Sequence, residues 1–80
     1  MKIQYYAEIQ YTMDSSHPDI KCVEGWTEDK VFTFSDTYTF DYPYEKEDVV
    51  GYIFNDLKLV AGGGYNSDHI QTVSFTVNRI

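Results

Sequence analysis

His17, Cys22 and His69 are the only imidazole and thiol groups in this chain of 80 residues. Each histidine lies beside an acid: His17 precedes Pro18-Asp19 and His69 follows Asp68. On paper, these groups make a Cys-His-Asp nucleophile set or a metal site. Neither is supported by spacing. A structural zinc site takes four N or S ligands in paired spacing, and a catalytic one takes three with an open position; no HxxxH or CxxC pair occurs here. A thiolate nucleophile needs an ordered base in a cleft, which a chain this short has little room to build. The acids do not form a calcium loop, because the DxDxDG-like run closed by a glutamate is missing. Gly62-Gly63-Gly64 invites comparison with a phosphate cradle. Such loops precede a helix, whereas these glycines follow one, where the helix dipole is negative. They read as a helix stop. No cofactor, metal or catalytic role is expected, and the chain is not expected to be an enzyme.

Charge is the feature with functional content. Between Asp14 and Asp48 there are ten acids and three bases, and the segments on either side are neutral, so this stretch carries the whole net charge of −7. Trp26 lies within it, in a polar loop, as either a lid on the core or an interface anchor. An acidic field with an aromatic anchor suits a basic protein partner. Direct nucleic-acid binding is disfavoured, since phosphate contacts need a basic surface. Anionic membrane surfaces are disfavoured for the same reason.

The elements that must position these residues are legible as patterns. Ile3, Tyr5, Ala7, Ile9, Tyr11 and Met13 alternate with Lys2, Gln4, Tyr6, Glu8, Gln10 and Thr12, which predicts a strand with one buried face. Turn formers follow from Asp14 to Asp19, then a loop through Gly25 with a short strand expected at Ile20–Val23. Phe32, Phe34, Tyr38 and Phe40 share one face of the next strand. Asp36 interrupts that face, through either a bulge or a hairpin turn at Ser35-Asp36. One long bent strand is the reading adopted, because the Asn-Gly chemistry of tight hairpins is missing.

A helix is expected to start at Asp41-Tyr42-Pro43-Tyr44, with Asp41 as its cap and proline in its first turn. Val49, Val50, Ile53, Leu57 and Val60 supply its stripe, widened by Tyr52, Phe54 and Leu59. Gly51 is a penalty inside the helix unless it permits close approach to the sheet. A last strand places Val73, Phe75 and Val77 on one face. The expected fold is α+β: an antiparallel three- to four-stranded sheet in β-β-α-β order, with one helix packed on one face. A crossover from the second long strand to the last gives spatial order 2-1-3. One domain spans residues 1–80. Hydrophobic residues make up 42% of the chain and aromatics 18%, enough for a rich core despite the small size.

A single cysteine excludes an intrachain disulfide, and the chain passes from Met-Lys-Ile-Gln straight into strand alternation. Both features lead to a cytoplasmic expectation. In its small, acidic, one-sheet, one-helix character, the chain resembles phage-encoded inhibitors of bacterial defence, anti-CRISPR proteins in particular. That resemblance implies a non-catalytic inhibitor in a bacterial cytoplasm, docking acids on the basic nucleic-acid-binding surface of a larger protein. Strong DNA mimics spread more charge along a whole face; neutral ends fit partial occlusion of a groove better. Asp41, Glu45, Glu47 and Asp48 are explained by the start of the helix. The candidate partner-binding residues are therefore Asp14, Asp19, Glu24, Trp26, Glu28, Asp29 and Asp36, with Tyr44 and Tyr65 as weaker anchors. The alternative is a small structural or oligomerising phage or accessory protein that uses sheet-edge or hydrophobic contacts.

Overall fold

The chain's structure, a computed structural model, describes residues 2–41, 44–64 and 67–80. Strand β1 (Ile3–Met13) is central, flanked by β2 (Phe32–Phe40) and β3 (Ile70–Arg79). Both pairings are antiparallel, giving the order β2-β1-β3. Helix α1 (Lys46–Ala61) covers one face of the sheet. This is the expected α+β architecture in β-β-α-β order, with three long strands. No helix among the described residues is long and apolar enough to cross a membrane.

The alternation of β1 selects the face that α1 covers. Ala7 and Ile9 are fully buried, and Tyr11 and Met13 nearly so. Against them α1 places Val49, Ile53, Leu57 and Ala61, four residues apart along one stripe. Full burial of Ile9, Ile53 and Leu57 contributes roughly 1.5–3 kcal/mol each. Aromatics close both seams. Phe54 stacks on Phe75 of β3 at 5.0 Å, and Phe40 of β2 meets Tyr52 edge-on at 5.9 Å. The opposite face is open and polar: Ser74 donates from Oγ to Gln10 Oε1 there at 3.1 Å.

Several local expectations are corrected. β2 runs in unbroken register against β1, from Ile3–Phe40 to Tyr11–Phe32, so it is one strand without a bulge. Asp36 lies opposite Ala7 in mid-strand, and its carboxylate accepts from the Thr37 N–H at 2.7 Å. The irregularity falls in β3 instead. Gln10 opposes Ser74 while Tyr11 opposes Thr72, leaving Val73 as the extra residue. A bulge re-aims the side chain it displaces: Val73 is 54% exposed and does not share the buried face with Phe75 and Val77. The short strand expected at Ile20–Val23 is a 3₁₀ helix, Pro18–Cys22. Proline at its start and the His17 ring, which accepts from the Asp19 N–H at 3.0 Å, stabilise a turn there.

The ends and faces of α1 also differ from expectation. Its N-cap is Glu45, whose side chain makes no capping bond, in place of Asp41. Tyr44, the residue before the cap, packs edge-on against Phe40 of the sheet at 5.9 Å. Tyr42 and Pro43, expected at the entrance, lie outside the described residues, as does Tyr65. Val60, expected in the stripe, is 48% exposed, and Ala61 takes its place. A Cβ on Gly51 would meet no atom within 4 Å, so this glycine serves no close approach. The glycine run does end the helix. Gly63 and Gly64 take positive φ, 71° and 79°. Gly63 N–H donates to the Val60 carbonyl at 3.0 Å and Gly64 N–H to that of Leu59 at 2.5 Å. Those two bonds form a Schellman cap.

Candidate acidic interface

The acids of residues 14–48 separate into groups once the chain folds. Asp41, Glu45, Glu47 and Asp48 sit where β2 ends and α1 begins, beside the Ile3 end of β1. Glu47 and Asp48 occupy the first turn of α1, where the helix dipole favours them. Residues 14–31 join the Met13 end of β1 to the start of β2, so Asp14, Asp19, Glu24, Glu28 and Asp29 gather at the opposite end of the sheet. Asp36 joins neither group. It lies opposite Ala7, six residues or about 20 Å of strand from Met13.

At the Met13 end a concavity of about 520 Å³ is lined by Asp14, Glu28, Asp29 and Asp68, with Thr12 and His69. Asp68 was absent from the expected set because it cancels against bases in the sequence's C-terminal third. One signal could have found it. Strand order 2-1-3 puts the residue before the last strand beside the residue after the first. Asp14 N–H indeed donates to the His69 carbonyl at 3.0 Å. Asp19 and Glu24 are exposed on the same end but do not line the concavity.

Hydrogen bonds hold this surface in shape. Asp14 Oδ1 accepts from the Ser16 N–H at 2.9 Å and from the Ser16 hydroxyl at 2.6 Å. The Ser16 hydroxyl above all lowers the Asp14 carboxyl from its usual value; desolvation opposes it, and the Ser16 N–H, the nearby His69 ring and the His17 N–H add to the lowering. Ser16 Oγ also lies 2.8 Å from His69 Nδ1. A serine has one proton to give, and here it goes to the carboxylate, so Nδ1 is the donor to Oγ. This is the reverse of nucleophile activation, in which imidazole accepts the hydroxyl proton. The cluster therefore presents a negative charge held in place at Asp14.

The remaining groups have structural duties. His17 is 2% exposed; its Nδ1 caps the 3₁₀ helix, so its proton sits on Nε2, which has no hydrogen-bond partner among the described residues. The His17 ring meets that of His69 edge-on at 6.3 Å. Cys22 is an exposed free thiol, and among the described residues no hydrogen bond links it to a histidine. No three His, Cys, Asp or Glu side chains among the described residues gather as metal ligands. Trp26 lies half-buried against the core and donates from Nε1 to the Met13 carbonyl at 3.2 Å. Of the two roles open to it, core lid or interface anchor, this packing is that of a lid. Lys30 folds back, its ammonium 3.2 Å from the Glu24 carbonyl and 5.5 Å above the Phe32 ring.

Acids thus dominate one end of an elongated molecule of 44 × 20 × 18 Å, with Asp14 held there by hydrogen bonds. Comparison of the chain with protein-family models, with curated proteins and with solved structures returns no match.

Proposed function

We propose that this protein is a non-catalytic inhibitor of anti-CRISPR type. In this reading its acidic end occupies a basic nucleic-acid-binding surface on a larger bacterial protein in the cytoplasm. The observation that carries the reading is the concavity bearing Asp14, Glu28, Asp29 and Asp68, flanked by Asp19 and Glu24. At this end six carboxylates outnumber two lysines, Lys21 and Lys30. A concave acidic surface concentrates negative potential and steers a Lys- or Arg-rich partner toward it. The hydrogen bonds to Asp14 keep this part of the surface in place before the partner arrives, which lowers the ordering cost of association. Asp36 is remote from this end and takes no part in the proposed contact. Trp26 contributes by supporting the loop.

The test uses a purified CRISPR effector, with nucleic acid as competitor. The chain should displace nucleic acid from the effector, and its affinity should fall as salt rises from about 0.05 to 0.5 M. Replacing Asp14, Glu28, Asp29 and Asp68 by their amides should lower the association rate about tenfold or more. Amides at Glu47 and Asp48 should leave the rate unchanged. Displacement indifferent to both salt and the four amides would refute the reading.

A further inference from the structure

Phe40, Tyr44 and Tyr52 meet at the Ile3 end of the sheet, opposite the acidic concavity. The length of β1, about 33 Å of strand, separates the two ends. Phe40 is half-buried on β2. The rings of Tyr44 and Tyr52 each lie 5.9 Å from it, at 77° and 80° to its plane. Tyr44 stands just before the cap of α1, and Asp48 and Tyr52 follow at intervals of four, so all three share one face. With Tyr38 and Val49 these residues line a concavity of about 550 Å³. Val49 is 3% exposed, whereas Tyr44 and Tyr52 are 54% and 59% exposed, so more than half of each tyrosine is open to a ligand. Among the described residues, Asp48 is the one charged group in the lining, and its carboxylate takes no hydrogen bond or ion pair.

We propose that this concavity binds a small soluble molecule through a quaternary ammonium group, with the rings of Phe40, Tyr44 and Tyr52 as walls and Asp48 as counter-ion. Charge selects a cation. The face of an aromatic ring is the negative part of its quadrupole and attracts cations within about 6 Å. Acids outnumber bases at this end, with Asp41, Glu45, Glu47 and Asp48 against Lys2 and Lys46. They more than offset the roughly half positive charge of the helix N-terminus. Lys46 lines the separate groove beside Phe54 and Phe75 and does not line this concavity. Asp56, which accepts the Tyr38 hydroxyl, adds a second carboxylate behind the wall.

Hydration selects the kind of cation. A lysine ammonium is strongly hydrated and brings three donors, and a guanidinium brings five; ring faces replace that water poorly. A quaternary ammonium has no N–H and presents methyl groups, so it loses least on entering between rings. Size selects a small molecule, because the volume is that of a small-ligand pocket. The adjoining edge of β2 carries Asp36, which discourages an extended peptide from pairing there. The net charge of −7 disfavours an anionic membrane surface.

Choline chloride is the probe, titrated to about 20 mM against the whole chain at constant ionic strength, with the aromatic ring resonances followed by NMR. Saturable shifts centred on Phe40, Tyr44 and Tyr52 are expected, with a Kd of about 1 mM or below. The uncharged isostere of choline, with carbon in place of nitrogen, should bind about tenfold more weakly or worse, and so should methylamine. Tyr52→Leu keeps apolar cover and loses the ring face. Asp48→Asn keeps the shape and loses the charge. Each should weaken choline binding about fivefold or more with the circular dichroism unchanged. If Tyr52→Leu unfolds the chain, Asp48→Asn and the isostere decide. The absence of saturable shifts, an isostere that binds as well as choline, or binding indifferent to the substitutions overturns the proposal. So does capture by phosphatidylcholine vesicles or by a trimethyllysine peptide when free choline leaves the rings unmoved, which assigns the site to a macromolecule.

Discussion

Tyr38→Phe isolates one bond between the edge of the sheet and the helix. Tyr38 is half-buried on β2, and its hydroxyl donates to Asp56 Oδ2 of α1 at 2.5 Å. Phenylalanine keeps the ring that covers the seam and removes only that donor. A hydrogen bond to a charged group contributes about 1.5–3 kcal/mol net. Asp56 is only partly buried, so water replaces part of the lost bond, and the lower figure applies: about 1.5 kcal/mol. A domain of this size has roughly 4–12 kcal/mol in total, and the melting midpoint should fall by roughly 6–12 °C. Burial first, then the hydrogen bond and charge of Asp56, raise the Tyr38 phenol well above the ordinary tyrosine range. A raised folded value means stability that is fully present below the unfolded value of about 10 and is lost as pH rises above it. Wild-type stability should therefore fall between about pH 9 and 11 more steeply than that of Tyr38→Phe, and the gap between them should narrow. Urea titrations across that range, with Asp56→Asn completing a double-mutant cycle, measure both effects. A loss below about 0.5 kcal/mol, or a gap that does not change with pH, would refute the account of this bond.

Other substitutions probe the rest of the fold. Gly51→Ala should stabilise the chain by up to about 1 kcal/mol, read as a higher melting midpoint, because the added methyl meets nothing within 4 Å and helix propensity improves. Ile53→Ala should cost about 2–5 kcal/mol in a denaturant titration, since Ile53 is fully buried between helix and sheet. The lowered Asp14 value means stability that is present above the unfolded carboxylate value of about 3.9 and is lost as pH falls through the folded one. An acid titration of Asp14→Asn should accordingly show a shallower loss below about pH 4 than wild type. Gly63→Ala should lower the melting midpoint, because φ of 71° is strained for a residue with a side chain.

Much of the architecture is visible in local pattern. Ile3 to Met13 alternate so regularly that the buried face of β1 can be assigned residue by residue, and burial of Ala7, Ile9 and Tyr11 bears that assignment out. Gly62-Gly63-Gly64 stops the helix for the reason its residue types suggest. Helix entry was less legible. Asp41 and Pro43 carry entry chemistry, yet the cap is Glu45, after Tyr44 has packed against Phe40. The residue types point to a bulge or a hairpin turn at Asp36, because an acid interrupting an apolar row is visible in one strand. Val73 interrupts nothing in its own strand; it is displaced by the register of β3 on β1, a property of two strands together.

The division follows from the range of the forces involved. Strand and helix periods, turn chemistry and net charge belong to neighbours along the chain, and the sequence by itself determined them: the long strands, one helix, their order and an acidic middle, with a fourth, short strand left open that the fold replaces by a 3₁₀ turn. Which charges meet depends on where the crossovers carry them. Only the folded sheet could bring Asp68 beside Asp14 across more than fifty residues, send Glu47 and Asp48 to the other end, and leave Asp36 apart. Burial decided the rest. Trp26 looked equally suited to either role until its indole found the Met13 carbonyl. His17 looked like a loop residue until the chain closed over it.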